Sequence, residues 1–391
     1  MGQTCQPIPL TITTEATIHL SIESCDGSSI DAEPLTITEN GTYTAPAGKA
    51  YSPVIVKVPQ YLGHLTFGNI AYLSVTDPVW DGTMYISDDA EQWSEWDGTR
   101  FESGSSHKIY LRGSGNKKLF SNGHSLNFEA YNRNGSGVTC DGNVELLLDA
   151  PTVARGEHPA MSNSCYACMF KDCTSLTKAP KLSAIALKLQ CYYAMFQGCT
   201  SLVTAPELPA TTLAASCYFQ MFSGCTSLTT APMLPASTLA QQCYASMFHD
   251  CTSLTAAPKL LATELASYCY VNMFNGCTSL ATPPALPATT LANNCYGGMF
   301  DGCTGLIALP ALPAITLTNH CYFCMFRGCT NIKLSVASEG DYTTSYRIPS
   351  SGSGTSEEDS NALLYMFDNT GGTFKGTPTI NTTYYTANTV V

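Results

Sequence analysis

Charge is scarce in this chain of 391 residues: 12% of them are Asp, Glu, Lys or Arg, and 18 basic residues face 30 acidic ones, for a net charge of −12. That balance excludes a nucleic-acid partner, because phosphate backbones demand a basic surface, and it disfavours an anionic membrane surface. Long apolar runs are missing too. None approaches the ~18 residues of a membrane-spanning helix, so no membrane insertion is expected. The opening Met1-Gly2-Gln3-Thr4-Cys5 has neither the basic segment nor the apolar segment of a secretory leader, which predicts a protein made in a cytoplasm and not exported by the usual signal.

Motifs that carry chemistry are equally sparse. The seven histidines are dispersed. Gly113-Ser-Gly-Asn-Lys-Lys118 lacks the spacing of a phosphate loop and reads as a hairpin, and no Gly-x-Ser-x-Gly elbow occurs. Glycoside cleavage needs two carboxylates ~5 to ~9.5 Å apart. The candidates Asp172, Glu207, Asp250, Glu264 and Asp301 never share a repeat position in adjacent copies. No enzyme, no cofactor and no metal site is therefore expected. Cys165, Cys168 and Cys173, and His320 with Cys321, Cys324 and Cys329, have the spacing of zinc half-sites, but structural zinc wants four converging ligands and the two sets lie six copies apart.

What the chain does have is repetition. A 26-residue unit, Cys-Tyr-x-x-Met-Phe-x-Gly-Cys-Thr-x-Leu followed by a proline-bounded Leu-Pro-Ala-x-x-Leu, occurs seven times with Cys-Tyr starting at Cys165, Cys191, Cys217, Cys243, Cys269, Cys295 and Cys321. A fixed period in this range marks a solenoid, in which each unit buries its apolar face only by stacking on copies of itself. Leu213, Cys217 and Met221 recur at i, i+4 and i+8, which predicts a helix, with Thr211 or Thr212 as its cap and Gly224 at its end. The stretch from Cys225 to Leu234 reads as a short strand between prolines. One strand and one helix per coil predict an α/β leucine-rich-repeat solenoid with 26-residue coils.

Fourteen of the nineteen cysteines fall on two columns, the seven above and Cys173, Cys199, Cys225, Cys251, Cys277, Cys303 and Cys329. On the same stripe as Leu and Met they read as reduced, buried core residues forming a structural ladder. The Tyr after each first Cys reads as core, with its hydroxyl at the rim.

The remaining positions vary. After Met-Phe come Lys171, Gln197, Ser223, His249, Asn275, Asp301 and Arg327; before the strand-end Leu come Lys181, Glu207, Met233 and Lys259; after Cys-Tyr, Phe219 and Phe323 stand out. Variable residues on a constant frame form the candidate recognition surface, although drift on a solvent face gives the same pattern.

The flanks differ in character. Leu10, Ile12, Ile18, Leu20 and Ile22, and later Val54, Val56 and Val58, alternate with polar residues, predicting a small β-sandwich-like anchoring domain over 1–60. Residues 61–161 read as a β-rich domain whose segment Cys140 to Asp149 caps the first coil, 162–336 as the seven-repeat solenoid, and 337–391 as a loop insertion, a degenerate eighth repeat and a C-terminal cap. In the last part Met366-Phe367 follows Met325 by 41 residues, so 15 residues are inserted within Ser338 to Ser360, where Ser-Gly-Ser-Gly predicts a mobile loop. The run from Thr377 to Val391 would close the rod.

The repeat, together with Tyr110-Leu-Arg-Gly-Ser-Gly-Asn116 and Cys140-Asp-Gly-Asn-Val-Glu-Leu-Leu-Leu148, resembles the BspA-like leucine-rich-repeat proteins of gut anaerobes and their phages, over roughly 68 to 391. The resemblance implies a surface adhesin without enzymatic activity. A shorter segment, Thr36 to Val58, is similar to one found in phage and prophage virion proteins. Together they imply a virion structural protein, a fibre or appendage subunit. Residues 1–60 would meet other virion proteins and set any homo-oligomer, and the solenoid would contact a bacterial surface glycan or protein. A bacterial cell-surface adhesin is the alternative, and a polysaccharide depolymerase is a third reading.

Overall fold

In a computed structural model the chain divides into two units, Met1–Leu62 and Gly63–Val391. The structure describes residues 63–391 apart from 76–77, 121–123, 133–135 and 357–360, and, of the first unit, only four short strands. These are β1 (Ala16–Ile18), β2 (Ile22–Glu23), β3 (Ser29–Ile30) and β4 (Leu35–Ile37), paired antiparallel as β1 with β4 and β2 with β3. The rest of the expected anchoring domain, including Leu10, Ile12, Leu20 and the valines at 54, 56 and 58, lies outside the described residues.

The second unit begins with strands β5 (Leu65–Gly68), β6 (Ile70–Val75), β7 (Thr83–Ser87), β8 (Ser94–Glu95), β9 (Phe101–Glu102), β10 (Lys108–Ser114), β11 (Leu126–Ala130) and β12 (Val138–Asp141), then helix α1 (Leu146–Ala154). Alternation decides their faces. In β10, Ile109, Leu111 and Gly113 point inward while Tyr110 and Arg112 remain part-exposed. Strand β13 (Leu176–Lys178) of the first repeat joins the edge of a six-stranded sheet in the order β13-β12-β5-β10-β7-β8, and β11-β6-β9 form a second, three-stranded sheet. Helix α1 crosses β10 so closely that a Cβ on Gly113 would fall 1.7 Å from the Leu147 carbonyl oxygen. Only glycine fits there.

Each repeat contains no helix, contrary to the i, i+4, i+8 expectation. Among the described residues regular structure is nearly all strand, the one helix is the nine-residue α1 with Pro151 inside it, and the sheets are open rather than closed into a barrel. The stretch from Ser164 to Cys173 is a ribbon of successive turns. N–H groups of Ser164, Tyr166, Cys168, Phe170 and Asp172 donate to carbonyls of Leu189, Cys191, Tyr193, Met195 and Gln197 in the next copy, at 2.7–3.0 Å. Those between them, Ala167, Met169, Lys171 and Cys173, donate three residues back within their own copy. Backbone with positive φ recurs every fourth residue, at Ser164, Cys168 and Asp172, then at Gln190, Ala194 and Gly198, and so on through His320, Cys324 and Gly328.

The spacing explains why a helix is excluded. Equivalent rings of successive copies stack at 5.3–5.9 Å. Packed helices need 8–10 Å between axes, and an α-helix would also consume the donors that here tie one copy to the next. A four-residue step satisfies both demands. Two residues of every four face inward (Cys165-Tyr166, Met169-Phe170, then Cys173) and two face outward.

Beyond the ribbon, each copy returns through proline-rich segments joined by single parallel bridges, Lys178 to Thr204 to Thr230 to Ala256, and Glu264 to Thr290. Near the far end β14 (Ala308–Leu309), β15 (Thr316–Leu317) and β16 (Leu334–Ser335) are followed by β17 (Thr344–Arg347), β18 (Thr355–Ser356), β19 (Thr383–Thr386) and β20 (Thr389–Val390).

Both ends of the ribbon find partners. At the start, N–H groups of Leu119 and Phe120 donate to the Cys165 carbonyl and that of Leu126 to Met169, supplying the bonds that a preceding copy would give. The capping contacts thus come from Leu119, Phe120 and Leu126 together with β12, beyond Cys140 to Asp149. At the end, Tyr322, Cys324, Phe326 and Gly328 donate to Ala362, Leu364, Met366 and Asp368, so 362–370 continues the stack as ribbon rather than helix.

The segment expected as a mobile loop is largely tied down. Strand β17 pairs antiparallel with β19, β18 runs parallel to β15, and the buried Tyr346 donates its hydroxyl to the Pro310 carbonyl at 3.2 Å. Strand β20 runs parallel to β14, and β16 pairs with β19. One column of rings, Phe67, Phe170, Phe196, Phe222, Phe248, Phe274, Phe300, Phe326, Phe367, Phe374 and Tyr384, runs through the whole unit.

Candidate recognition surface

The inward half of the ribbon is nearly constant. Tyr166, Tyr192, Tyr218, Tyr244, Tyr270, Tyr296 and Tyr322 stack in one column beside the phenylalanines and are at most 1% exposed. Their hydroxyls do not reach the rim: those of Tyr166, Tyr192, Tyr244 and Tyr296 are buried without a hydrogen-bond partner. Burial pushes the phenols of Tyr166, Tyr192 and Tyr296 well above their ordinary range.

All fourteen ladder thiols are free and buried. The second column has a specific task. Cys199, Cys225, Cys251, Cys277, Cys303 and Cys329 each donate Sγ–H to the carbonyl of the Phe 29 residues earlier, at 3.0–3.1 Å, and Cys173 does the same to Leu126 in the cap at 3.3 Å. A small, apolar side chain with one weak donor meets this requirement.

The outward half varies. Lys171, Gln197, Ser223, His249, Asn275, Asp301 and Arg327 form one column of the ribbon, with Ser223 itself buried. Arg327 reaches back to Asp301, its Nε donating to Oδ2 at 3.0 Å, and His249 lies 3.1 Å from the carboxylate of its neighbour Asp250. Four residues earlier runs a second column: Ala167, Tyr193, Phe219, Ala245, Val271, Gly297 and Phe323. Here Phe219 stacks on Tyr193, a residue not singled out from the sequence, with centroids 5.2 Å apart and planes within 2°. Phe323 instead stands edge-on to His320. The signal for Tyr193 was present in the sequence as an aromatic at the same step in the adjacent copy.

Lys181, Glu207, Met233 and Lys259 occupy the return segment, away from the ribbon positions in the chain, and are all exposed, Met233 to 82%. The thirteen candidate residues therefore do not form one site. They divide into a ribbon grid, which brings Asp301 to Arg327, and a separate stripe on the return segments.

Chemically the ribbon grid is mostly amides, hydroxyls and a few rings, with isolated charges at Lys171, Asp172 and Asp250 and the Arg327–Asp301 pair between copies. Comparison with known proteins yields no match to a family, a curated protein or a solved structure.

Proposed function

We propose that the chain is a phage virion structural protein, a fibre or appendage subunit, whose 26-residue coils form a leucine-rich-repeat type of solenoid that adheres to the bacterial host surface. The observation that carries this reading is the division of labour within the ribbon: inward residues hardly change from copy to copy, while the outward ones differ at nearly every step. A recognition surface requires variable residues on a constant frame, the same pattern that drift on a solvent face leaves, and the resemblance to adhesins and virion proteins is what favours recognition. The sparse charge of the grid suits a receptor bound mainly through hydrogen bonds and stacking, with little dependence on salt. Residues 1–60 dock on other virion proteins and the protein works without cofactor or catalysis.

A second reading, a bacterial surface adhesin, is favoured by the repeat motif itself, whose resemblance is the more specific of the two. Mass spectrometry of purified particles and of washed host envelopes separates them. The chain is expected in particles at structural stoichiometry; finding it only in envelopes selects the adhesin, and finding it in neither removes both.

A further inference from the structure

The stretch inserted after the seventh copy, within Ser338 to Ser360, does more than close the stack. Strand β17 lies in it and pairs with β19, so that Arg347 stands opposite Thr383 and Ser345 opposite Tyr385, while Tyr346 between them points inward. Ser345, Tyr346, Arg347, Ser350 and Thr383, with Ala311 of the sixth copy and Val390 of β20, line a cavity of about 240 Å³. It is smaller than the ~300–1,000 Å³ of pockets that take a drug-sized ligand, which limits an occupant to a single ring or a small acid.

Arg347 is the one charged residue of the lining, and its guanidinium is fixed in place. Nη1 donates to the main-chain oxygens of Pro349, at 3.0 Å, and Gly352, and Nη2 donates to Oδ1 of Asn381 at 2.9 Å. Asn381 is clamped in turn to Gly354: its Oδ1 accepts the Gly354 N–H at 2.8 Å and its Nδ2 donates to the Gly354 carbonyl at 2.9 Å. Of the five N–H donors in the planar group three are thus engaged, and one on Nε and one on Nη2 remain, enough for a two-point grip on a carboxylate.

The charge is also uncompensated. Among the described residues no carboxylate lies within ion-pair distance of Arg347. Around it Ser345, Ser350 and Thr383 are exposed and bring three hydroxyls, and the half-buried Ala311 and Val390 bring the apolar part of the wall.

A ligand suited to this lining is a small acid with hydroxyls of its own and a C–H face. We propose that the cavity binds a single acidic monosaccharide, with its carboxylate on Arg347, its hydroxyls on Ser345, Ser350 and Thr383, and its C–H groups against Ala311 and Val390. The cavity uses none of the ribbon-grid positions. That the sugar belongs to a bacterial surface polymer rests on the adhesive reading above; that the cavity takes such a sugar does not.

The test uses the full chain with glucuronate, galacturonate and N-acetylneuraminate, and methyl β-glucopyranoside as the uncharged counterpart, each at millimolar concentration, followed by saturation-transfer NMR. At least one acid is expected to receive saturation from the wild-type protein, and the uncharged sugar about a tenth of it or less. Arg347→Lys keeps the charge but not the planar fork, and should weaken the signal at least about fivefold. Because that change also removes bonds to the 349–354 loop, Ser345→Tyr is the second variant: it places a ring in the cavity from an exposed strand position, leaves the bonds of Arg347 in place, and should abolish the signal. Met233→Ala, in the third copy, should leave it unchanged. Absence of saturation on all three acids, equal saturation of the uncharged sugar, displacement of the acid by an equal concentration of inorganic phosphate, or an undiminished signal in Ser345→Tyr overturns the site. Binding to whole host cells keeps the two levels apart: if the wild-type protein does not bind cells, the adhesive function proposed above falls, while the NMR result still decides the cavity.

Discussion

Cys251 donates its thiol hydrogen to the main-chain oxygen of Phe222 at 3.1 Å, across the junction between two copies. The same oxygen also accepts the N–H of Cys225 at 3.0 Å. The thiol is therefore a second, stabilising donor at a carbonyl already served within its own copy. The bond repeats along the ladder, which makes these cysteines specific parts of each junction and not interchangeable fillers.

Cys251→Ala should accordingly cost about 1–2 kcal/mol, from one weak hydrogen bond and a small cavity, without leaving the Phe222 oxygen unpaired. Urea unfolding followed by circular dichroism should show a lower midpoint at unchanged slope. A midpoint equal to that of the wild type would mean that the thiol contributes nothing to the junction.

Alkaline pH should unfold the repeat region steeply. Burial pushes the thiols of Cys217, Cys225, Cys303 and Cys321 up to about 12, while an unfolded thiol ionises near ~8.5. Above that lower value the unfolded state binds fewer protons than the folded one, so stability is fully present below pH ~8.5 and declines as pH rises toward the folded values. Each thiol contributes about 1.4 kcal/mol per pH unit to the decline. Thermal melts should give a flat Tm from pH 6 to pH 8 and a fall beyond it; a Tm that stays level to pH 10 would contradict the buried, protonated ladder.

Positive φ in the ribbon predicts a mirrored pair of substitutions. Ala194 adopts φ 49° and Gly224 adopts φ 73°, in columns one turn apart. Ala194→Gly relieves a left-handed alanine and should stabilise by roughly 0.5–1 kcal/mol, while Gly224→Ala, whose nearest neighbour would be 3.7 Å away, meets no clash and should lose about 1 kcal/mol through backbone strain alone. Equal effects of the same sign in the two melts would rule out the turn ribbon.

Phe248, at the centre of the ring column, stacks at 5.7 Å on both Phe222 and Phe274. Phe248→Ala should destabilise by about 3–5 kcal/mol, and Met233→Ala, at a side chain 82% exposed, by no more than ~0.5 kcal/mol. Comparable losses at the two sites would show that the rings do not form the core.

The strands of residues 63–150 could be read from their period-two alternation, and the step of 26 is plain in the sequence because the Cys-Tyr and Met-Phe pairs recur in register through all seven copies. The helix was misread for a physical reason. A stripe at i, i+4 and i+8 fits 3.6 residues per turn over so short a span, yet it fits a step of four better, and only the latter keeps adjacent pairs such as Cys165-Tyr166 and Met169-Phe170 on one side. The left-handed positions carried a further sign, since Ser, Gln, Asn, Asp and Gly dominate them; Ala194, Tyr268 and His320 disguised it. The candidate surface was legible as variability, but not as two separate stripes, because nothing in the spacing reveals which outward residues share a ribbon. Buried tyrosine hydroxyls without partners could not be foreseen, since an exposed rim is where such groups ordinarily find water.

The bonding pattern between copies also bears on how such a chain can vary. Along the ribbon every internal junction is made from the same main-chain donors and acceptors and the same inward rings, and the stack begins on a segment that belongs to no copy. Excising or duplicating one 26-residue module in the middle leaves each remaining contact intact while adding or subtracting a row of outward positions. The number of copies and the set of outward residues can thus be altered by recombination between near-identical stretches of gene, a change far easier to survive than remodelling a globular core.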